Sequence, residues 1–315
     1  MKISVIIPAY NAEKFITRAV QSAAYQTMQP HEIIVIDDCS TDDTRRVVSL
    51  LAKDFPGVLR LLSTEQNSGP AAARNLGIKA ASGDWIAILD ADDAWLAHRL
   101  EGLSGIARRS GADVVSDNQC LWDLSKNIYL GVAMPLAEGS ETTVTARGMI
   151  ENDNDFNFSK FSWALLKPII RKQFLEDNGI AYNEAMRCGE DYRLYMDMLL
   201  NGAKWILTGS ACYLYSVPYV GNQKTANTRT APDSSSAVAF WDVLVESHRN
   251  LMGDDLIRLA RERRSIAKLI HQSNVARGYR HQRRYARFVA YLATKPRLIL
   301  NLASRVWARS GFVLG

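Results

Sequence analysis

Cysteine is scarce in this chain of 315 residues, and its four cysteines have no arrangement that suits a disulfide framework or a zinc site. Cys39, Cys120, Cys188 and Cys212 are isolated, with no Cys-x-x-Cys pair among them. The five histidines likewise lack the spacing of metal ligands. We therefore expect reduced thiols, which are typical of a cytoplasmic protein.

Long hydrophobic runs are also missing. No stretch approaches the roughly 18 apolar residues that a membrane-spanning helix needs. A hydrophobic strand begins at Ile3, which leaves no room for the charged, apolar and cleavage regions of a signal peptide. The composition, 47% hydrophobic and 23% charged, excludes a mainly disordered chain. These features predict a folded protein located in the cytoplasm.

Acidic residues are nearly absent from the C-terminal part of the chain. Residues 256–315 contain 14 Lys/Arg and one acid, Glu262, which gives this tail a net charge of +13. The remainder carries 24 basic and 32 acidic residues, a net charge of −8. An acidic body with a basic tail suggests an anionic partner for the tail, either a membrane or a nucleic acid.

Residues 1 to about 116 alternate between short β-rich runs and amphipathic helical stretches. The predicted strands are 3–7, 32–37, 58–62, 85–89 and 113–116. The predicted helices are 12–27, 42–53, 70–81 and 94–109. Because the alternation is typical of βαβ units and the strands are nearly continuous Val/Ile runs, we predict an α/β fold with a mostly parallel sheet covered on both faces.

The alternating pattern ends near residue 116, and 117–165 is mixed. The later predicted elements are helices at 171–178 and 190–200 and a strand at 204–207. Beyond 237 the chain is mostly helical. We therefore predict a body over 1–236, with halves at 1–116 and 117–236, and a helical extension over 237–315.

Acidic pairs stand at three of the predicted element ends. Asp37-Asp38 close the second strand, Asp90 and Asp92 follow the fourth, and Glu190-Asp191 open a later helix. Any one pair is typical of a turn or a helix cap. Three of them, at the sheet edge where α/β proteins bind ligands, favour a nucleotide pocket. Carboxylate oxygens there suit a hard divalent cation that holds phosphates.

Five motifs in succession resemble those of family 2 glycosyltransferases. They are 4–11 (SVIIPAYN), 33–42 (IIVIDDCSTD), 67–77 (NSGPAAARNLG), 89–93 (LDADD) and 189–191 (GED). Their order and spacing match as a set over about residues 1–215, and the resemblance does not cover the rest. It implies the GT-A fold, a Rossmann-like domain that uses nucleotide sugars, in the body over 1–236.

The resemblance implies a nucleotide pocket built from the first two motifs. Pro8, Tyr10 and Asn11 would line its nucleobase and ribose end. Asp38 would accept a hydrogen bond from the imide of the base, which favours uracil. The expected donor is therefore a UDP-sugar, with glucose or galactose as the sugar.

The resemblance further implies residues that act on the ribose and the diphosphate. Arg74 would lie near the base or the diphosphate, and Asp90 near the ribose. Asp92 would bind Mn²⁺ or Mg²⁺, which bridges the diphosphate oxygens and neutralises the leaving group. Asp93 would support that ligand and not coordinate the ion itself.

Asp191 would be the catalytic base, with Glu190 as its neighbour. A carboxylate suits that role because an acceptor hydroxyl is a poor nucleophile until its proton is removed. Family members invert the anomeric centre in one in-line displacement. The alternative for this pair is an acidic helix N-terminus that complements the helix dipole.

Many family members close a loop over the diphosphate with an Arg or His followed by serines. Here the sequence departs from that pattern after Tyr215. Lys224, Arg229 or the serines at 234–236 are the candidates for that part.

The basic tail combines arginines with apolar residues at helical spacing, and Pro296 divides it into two predicted helices. A basic amphipathic helix is typical of binding to an anionic membrane. The alternative is a helical subdomain whose arginines are solvated or paired with the acidic body. The membrane alternative would place the protein on the inner face of the cytoplasmic membrane, where the acceptor would be a saccharide linked to polyprenyl diphosphate.

The expected function is thus metal-dependent, inverting transfer of a hexose to a saccharide acceptor in bacterial surface-polysaccharide synthesis. One alternative is a nucleotidyltransferase acting on sugar phosphates, but the loop after the first strand has neither the glycines nor the basic residue expected of one. A second is a nucleic-acid-binding protein that uses the tail. No nucleic acid is expected as partner, because the tail lacks recognition motifs and the body is acidic.

Overall fold

The structure is a computed structural model that describes residues 1–124, 126–153, 161–186, 189–217 and 234–299. These residues fall into two compact units, the first ending at 217 and the second covering 234–299. The first is built on a ten-stranded sheet, and the second consists of helices. Among the residues described, no helix combines the length and apolar character needed to cross a membrane.

The sheet of the first unit is parallel in its first half and mixed in its second. Its strands are β1 (Ile3–Ala9), β2 (Glu32–Asp37), β3 (Leu59–Ser63), β4 (Trp85–Ile88), β5 (Ala94–Trp95), β6 (Val114–Asp123), β7 (Ile128–Val132), β8 (Glu141–Val144), β9 (Ile169–Arg171) and β10 (Trp205–Ser216). They lie in the order β3-β2-β1-β4-β9-β6-β10-β5, with β7 beside β6 and β8 beside β10. Strands β1 to β4 pair in parallel, and β9 joins β4 to β6 antiparallel to both.

Helices cover both faces of the parallel half. The helices of the first unit are α1 (Ile16–Ala24), α2 (Thr44–Asp54), α3 (Pro70–Ala80), α4 (Arg99–Ser110), α5 (Ala146–Glu151), α6 (Lys172–Asp177) and α7 (Glu190–Leu200). In β1, Val5 and Ile7 pack in a core with α1, α2 and α4, whereas Ile6 packs in a smaller core with α3. Both faces of each strand are therefore buried, which explains the continuous apolar runs.

The alternation predicted for the first 116 residues is confirmed, with one helix start that is wrong. The helix predicted at 94–109 begins only at Arg99. Residues Ala94 and Trp95 instead form β5, which pairs with β10. Local periodicity could not show this, because the partner strand lies more than a hundred residues later.

Strand β6 is longer than the sequence pattern indicates. The strand predicted at 113–116 continues to Asp123 through four buried polar residues, Ser116, Asp117, Asn118 and Gln119. These side chains are buried with partners, as when Asn118 donates to the Met134 carbonyl at 2.8 Å. The hydrophobic pattern predicted too short a strand, because it cannot identify polar residues that are buried with hydrogen-bond partners.

The second unit contains α8 (Ser234–Ser247), α9 (Asp254–His281) and α10 (Tyr285–Ala293). Helix α9 packs against both α8 and α10. The helical region predicted from 237 thus begins three residues earlier, at Ser234. A helical turn resumes at 296 after a break, as predicted around Pro296. The prediction of only two helices in the tail is wrong, because a further break at 282–284 separates α9 from α10.

Candidate active site

The candidate residues gather at one edge of the sheet. Strands β1, β2 and β4 are parallel neighbours, and Ala9 at the end of β1 lies beside Asp37 at the end of β2. The segments that leave these strands carry Asn11, Asp38 and Asp90. Parallel strands bring their carboxyl ends to the same edge, so the fold brings these motifs together, as predicted.

The loops after β1 and β2 hold each other in place. Asn11 and Cys39 both adopt the left-handed conformation, with φ of 50° and 60°. The Asn11 amide donates to Ser40 Oγ at 2.9 Å, and the Asn11 side-chain oxygen accepts from the Thr41 amide at 2.8 Å. Tyr10 is 40% exposed beside them. The Asn11 side chain is therefore engaged in joining two loops, while the Tyr10 ring is accessible.

Asp38 is buried and organises the start of α3. Its carboxylate accepts hydrogen bonds from the Ser68 amide at 2.9 Å, the Gly69 amide at 2.7 Å and the Thr64 hydroxyl at 2.9 Å. Gly69 has φ of 90°, a conformation that glycine adopts without strain. A carboxylate has about four lone-pair sites, so one remains for a further donor. Recognition of a base imide by Asp38 stays a prediction.

Arg74 of α3 connects the fourth-strand motif with the start of α7. It lies 2.9 Å from Asp90, 2.7 Å from Glu190 and 3.1 Å from Asp191, and its side chain is 4% exposed. Its guanidinium also stacks on the Tyr182 ring, 5.3 Å from the centroid. Arg74 is thus engaged by three carboxylates, and a direct contact to base or diphosphate stays a prediction.

Lys167 is the residue of the candidate site that sequence reasoning missed. Its ammonium lies 2.7 Å from Asp191 and 3.0 Å from Asp90, and its side chain is almost fully buried. Burial opposes the charge on Lys167, but the two carboxylates outweigh it and raise its pKa. Burial likewise opposes ionisation of Asp90, yet Lys167 and Arg74 together hold the pKa of Asp90 well below its usual range. The only sequence signal was a lone lysine before β9, in a region without periodicity.

A second buried ion pair fixes the backbone at Lys167. Arg99 at the start of α4 bonds to Asp117 of β6 at 2.7 Å and also donates to the Lys167 carbonyl. Its guanidinium lies between the Trp95 ring at 4.7 Å and the Tyr213 ring at 5.1 Å. Burial raises the pKa of Asp117 despite this pairing. The polar part of β6 therefore supports the lysine that faces the site.

Asp92 and Asp93 have different surroundings. Asp93 is buried and accepts from the Tyr213 hydroxyl and the Ser216 amide of β10, both at 2.7 Å. Burial, and then its acidic neighbours, raise the pKa of Asp93 well above its usual range. Burial and the adjacent Asp90 raise the pKa of Asp92 to about 6. Arg18 of α1 donates to the Asp92 carbonyl at 2.5 Å, which fixes the backbone.

The Asp92 side chain is suited to a divalent cation. Within the described parts of the chain, no other residue donates a hydrogen bond to its carboxylate or forms an ion pair with it. The same parts contain no group of three His, Cys, Asp or Glu that would hold a metal by themselves. Asp92 therefore fits Mn²⁺ or Mg²⁺ as one protein ligand, with phosphate oxygens and waters completing the shell.

Asp191 lies in the first turn of α7, after Gly189 with φ of 76°. Its two oxygens face Arg74 and Lys167, so its orientation is fixed from two sides. The alternative, an acidic pair that only complements the helix dipole, does not explain why two cations from other elements lie beside this carboxylate. Of the candidates for the lid, Lys224 and Arg229 lie outside the described residues, as do the side chains at 234–236.

Comparison with known protein families gives a match over residues 4–174 to the family described as Glycosyl transferase family 2. Two similar proteins come from Rhizobium meliloti (strain 1021). The succinoglycan biosynthesis protein ExoO is 35% identical over 216 residues, or 68% of this chain and 60% of its own length. The succinoglycan biosynthesis protein ExoU is 35% identical over 229 residues, or 72% of this chain and 65% of its own. The chain thus spans less than two thirds of either relative.

Among solved structures, S. aureus TarS in complex with UDP-GlcNAc has a TM-score of 0.65 at 22% identity. The match covers 89% of this chain and 73% of that one. TarS in complex with UDP has a TM-score of 0.58 at 23% identity. This likeness concerns the fold, and it confirms the predicted α/β architecture with C-terminal helices.

Proposed function

The chain belongs to glycosyl transferase family 2, and from this membership we propose that it transfers a hexose from a UDP-sugar to a saccharide acceptor with inversion. The observation that carries the proposal is the position of Asp191. Its carboxylate is fixed by Arg74 and Lys167, the two cations that also bind Asp90 at the sheet edge. The two cations orient this carboxylate next to the proposed donor pocket, and its remaining lone pairs would accept the proton of an acceptor hydroxyl.

The donor proposal rests on the base end of the pocket and on the solved relatives. The TarS structures are complexes with UDP and UDP-GlcNAc, which supports a uridine nucleotide here. In this chain Asp38 keeps one acceptor site free for an imide donor, and the accessible Tyr10 ring lies beside the loop of Asp38. We propose glucose or galactose as the transferred sugar.

The reaction forms a bond between the acceptor oxygen and the anomeric carbon while the bond to UDP breaks. Asp191 would take the proton of the acceptor hydroxyl as that bond forms, a contribution of about 10²–10⁴-fold. The leaving diphosphate gains negative charge. A Mn²⁺ or Mg²⁺ ion bound through Asp92 would supply Lewis-acid stabilisation of that charge. Asp93 would keep the Asp92 backbone in place through its bonds to β10.

The acceptor is proposed as a saccharide carried on polyprenyl diphosphate in the assembly of a bacterial surface polysaccharide. Support comes from the relatives, two of which are named for succinoglycan biosynthesis.

The test is release of nucleoside diphosphate from a panel of UDP-, GDP- and dTDP-sugars, with and without Mn²⁺. We expect metal-dependent release from one UDP-sugar, reduced at least about a hundredfold in Asp191→Asn and in Asp92→Asn. Asp197→Asn is the matched control, because it makes the same change further along α7, where Asp197 pairs with Arg193. This variant should keep turnover. Unchanged turnover in Asp191→Asn would remove the assignment of the base. Absence of both UDP binding and turnover would overturn the proposed function. Release of pyrophosphate from UTP and a sugar phosphate would show that the reaction is nucleotidyl transfer instead.

A further inference from the structure

Helix α10 of the second unit is apolar and yet unburied. Its nine residues are Tyr285-Ala-Arg-Phe-Val-Ala-Tyr-Leu-Ala293, and none of them is buried. The two outermost large side chains, Tyr285 and Val289, are 60% and 64% exposed. They are four positions apart and thus lie on the same side of the helix. A short helix with this composition usually buries its apolar side. The exposed apolar side of α10 is therefore a candidate binding surface.

The packing of α10 within its own unit accounts for the opposite side only. Phe288, Tyr291 and Leu292 are partly buried, and the Tyr291 ring stacks edge-on against Tyr279 of α9 at 5.8 Å. Tyr285 and Val289 lie away from that contact, together with the exposed small side chains of the helix, Ala286, Ala290 and Ala293. Helix α10 is therefore anchored on one side and presents a smooth apolar strip on the other. We call Tyr285, Ala286, Val289, Ala290 and Ala293 the outer strip.

The surroundings of the outer strip are uniformly basic. From 263 to 299 the chain has ten Lys/Arg and no Asp or Glu. Arg283 and Arg284 precede the helix, and Arg287 lies within it. All three are exposed, and the described residues place no carboxylate within ion-pair distance of them. Their charge is thus available to an external anion.

We propose that α10 binds the surface of an anionic phospholipid bilayer, with the outer strip inserted at the level of the headgroups and the flanking arginines on lipid phosphates. An apolar strip bordered by cations is the arrangement that gains from both apolar burial and attraction to anionic lipid. The helix would lie in the plane of the interface, since at nine residues it is too short to cross. This inference does not depend on the sugar chemistry, because none of its residues belongs to the proposed active site.

Other occupants fit the strip less well. A nucleic acid would use the arginines and could stack on Tyr285, but it would gain nothing from Val289 and the three alanines of the outer strip, which have no polar group to read a base or bind a phosphate. A second copy of the chain would bring the same acid-free surface, so the two basic surfaces would repel each other. Phospholipid is the occupant that uses both the apolar and the cationic part.

The test is flotation of the full chain with vesicles of phosphatidylcholine alone and of phosphatidylcholine with phosphatidylglycerol. We expect association with the anionic vesicles, and little with the neutral ones. Val289→Asp should reduce the partition coefficient about tenfold or more, because it removes an inserted side chain and adds a repelled charge. Arg283→Gln with Arg284→Gln should reduce it about 25-fold, roughly fivefold for each charge lost near the surface.

Matched controls carry the same chemical changes on the first unit. Leu50→Asp alters an exposed apolar residue of α2, and Lys53→Gln with Arg108→Gln removes two exposed cations. Both should float like the wild type, and every variant should keep its circular dichroism spectrum. Equal flotation of Val289→Asp and wild type would overturn the proposal, as would absence of flotation with anionic vesicles. Salt-sensitive binding to DNA that persists in Val289→Asp, without vesicle binding, would assign the surface to nucleic acid instead.

Discussion

A single lysine side chain connects two carboxylates that are far apart in the sequence. Lys167 reaches Asp90 after β4 and Asp191 at the start of α7, and Arg74 spans the same two groups from α3. Three elements are thereby held together by charge in a place where the side chains are largely buried. A buried pair of this kind contributes little net stability, but removing one partner leaves an uncompensated charge.

We predict that Lys167→Met lowers both stability and turnover. Because the change leaves Asp90 and Asp191 facing one cation instead of two, we expect unfolding in urea to require about 3 kcal/mol less free energy. Turnover should fall, since Asp191 loses one of the two groups that orient it. Lys167→Arg keeps the charge and should recover part of both losses.

Lys53→Met is the matched control for this prediction, because Lys53 is exposed near the end of α2. Its effect on stability should stay within about 0.5 kcal/mol. A Lys167→Met variant that is as stable and active as the control would show that Arg74 alone organises the cluster. If Lys167→Met lost stability but the folded variant kept full turnover, Lys167 would not be needed to orient Asp191.

At the scale of elements, the close approach of α3 to β1 depends on one glycine. A Cβ atom on Gly77 would lie 2.4 Å from Ile6 Cγ2, well inside van der Waals contact. Ile6 belongs to the smaller core on that face of the sheet, so it has little room to move. The helix carrying Arg74 is therefore positioned by contact as well as by its ion pairs.

We predict that Gly77→Ala destabilises the protein by roughly 1–3 kcal/mol, because overpacking outweighs the better helix propensity of alanine. Gly102→Ala is the matched control, since Gly102 lies in α4 with nothing within 4 Å of its added Cβ. That control should be stabilised, by up to about 1 kcal/mol. Chemical denaturation of both variants measures whether each change raises or lowers the free energy of unfolding. A stable Gly77→Ala variant would mean that α3 shifts without cost.

The elements also show where sequence reasoning succeeds. Strands β1 to β4 and α1 to α3 follow from local periodicity, and their order brings Asn11, Asp38 and Asp90 to one edge by the geometry of parallel strands alone. Strand β5 and the polar half of β6 were missed, because both depend on pairing with distant segments. Lys167 was missed for the same reason: its partners are brought to it by an antiparallel strand in a region without a repeating pattern.

At the scale of the whole molecule, the proposed nucleotide site has more negative than positive groups. Arg74 is engaged by Asp90, Glu190 and Asp191, and Lys167 by Asp90 and Asp191. Asp92 adds a further carboxylate nearby. The chain before 256 has a net charge of −8 as well. A diphosphate brought into such surroundings is repelled unless an additional cation enters with it. The charge balance thus favours a divalent ion as a condition for binding and not only for chemistry.

We therefore predict that UDP and Mn²⁺ stabilise the full chain together and not separately. A ligand at about 100 times its dissociation constant adds about 2.7 kcal/mol to the free energy of unfolding. For a unit of this size the midpoint of thermal unfolding should rise by several degrees, by roughly 2–4 °C for each kcal/mol. The measurement is a thermal scan with UDP, with Mn²⁺, with both, and with both plus EDTA.

Asp92→Asn should lose the shift, because it removes the one protein ligand proposed for the ion while leaving the ion pairs of Asp90 intact. Asp54→Asn, an exposed aspartate at the end of α2, should keep it. An equal shift with UDP alone would mean that Arg74 or Lys167 leaves its carboxylates to meet the diphosphate. In that case the cations of the cluster, and not a metal, would neutralise the leaving group, and Lys167→Met would abolish the shift where Asp92→Asn does not.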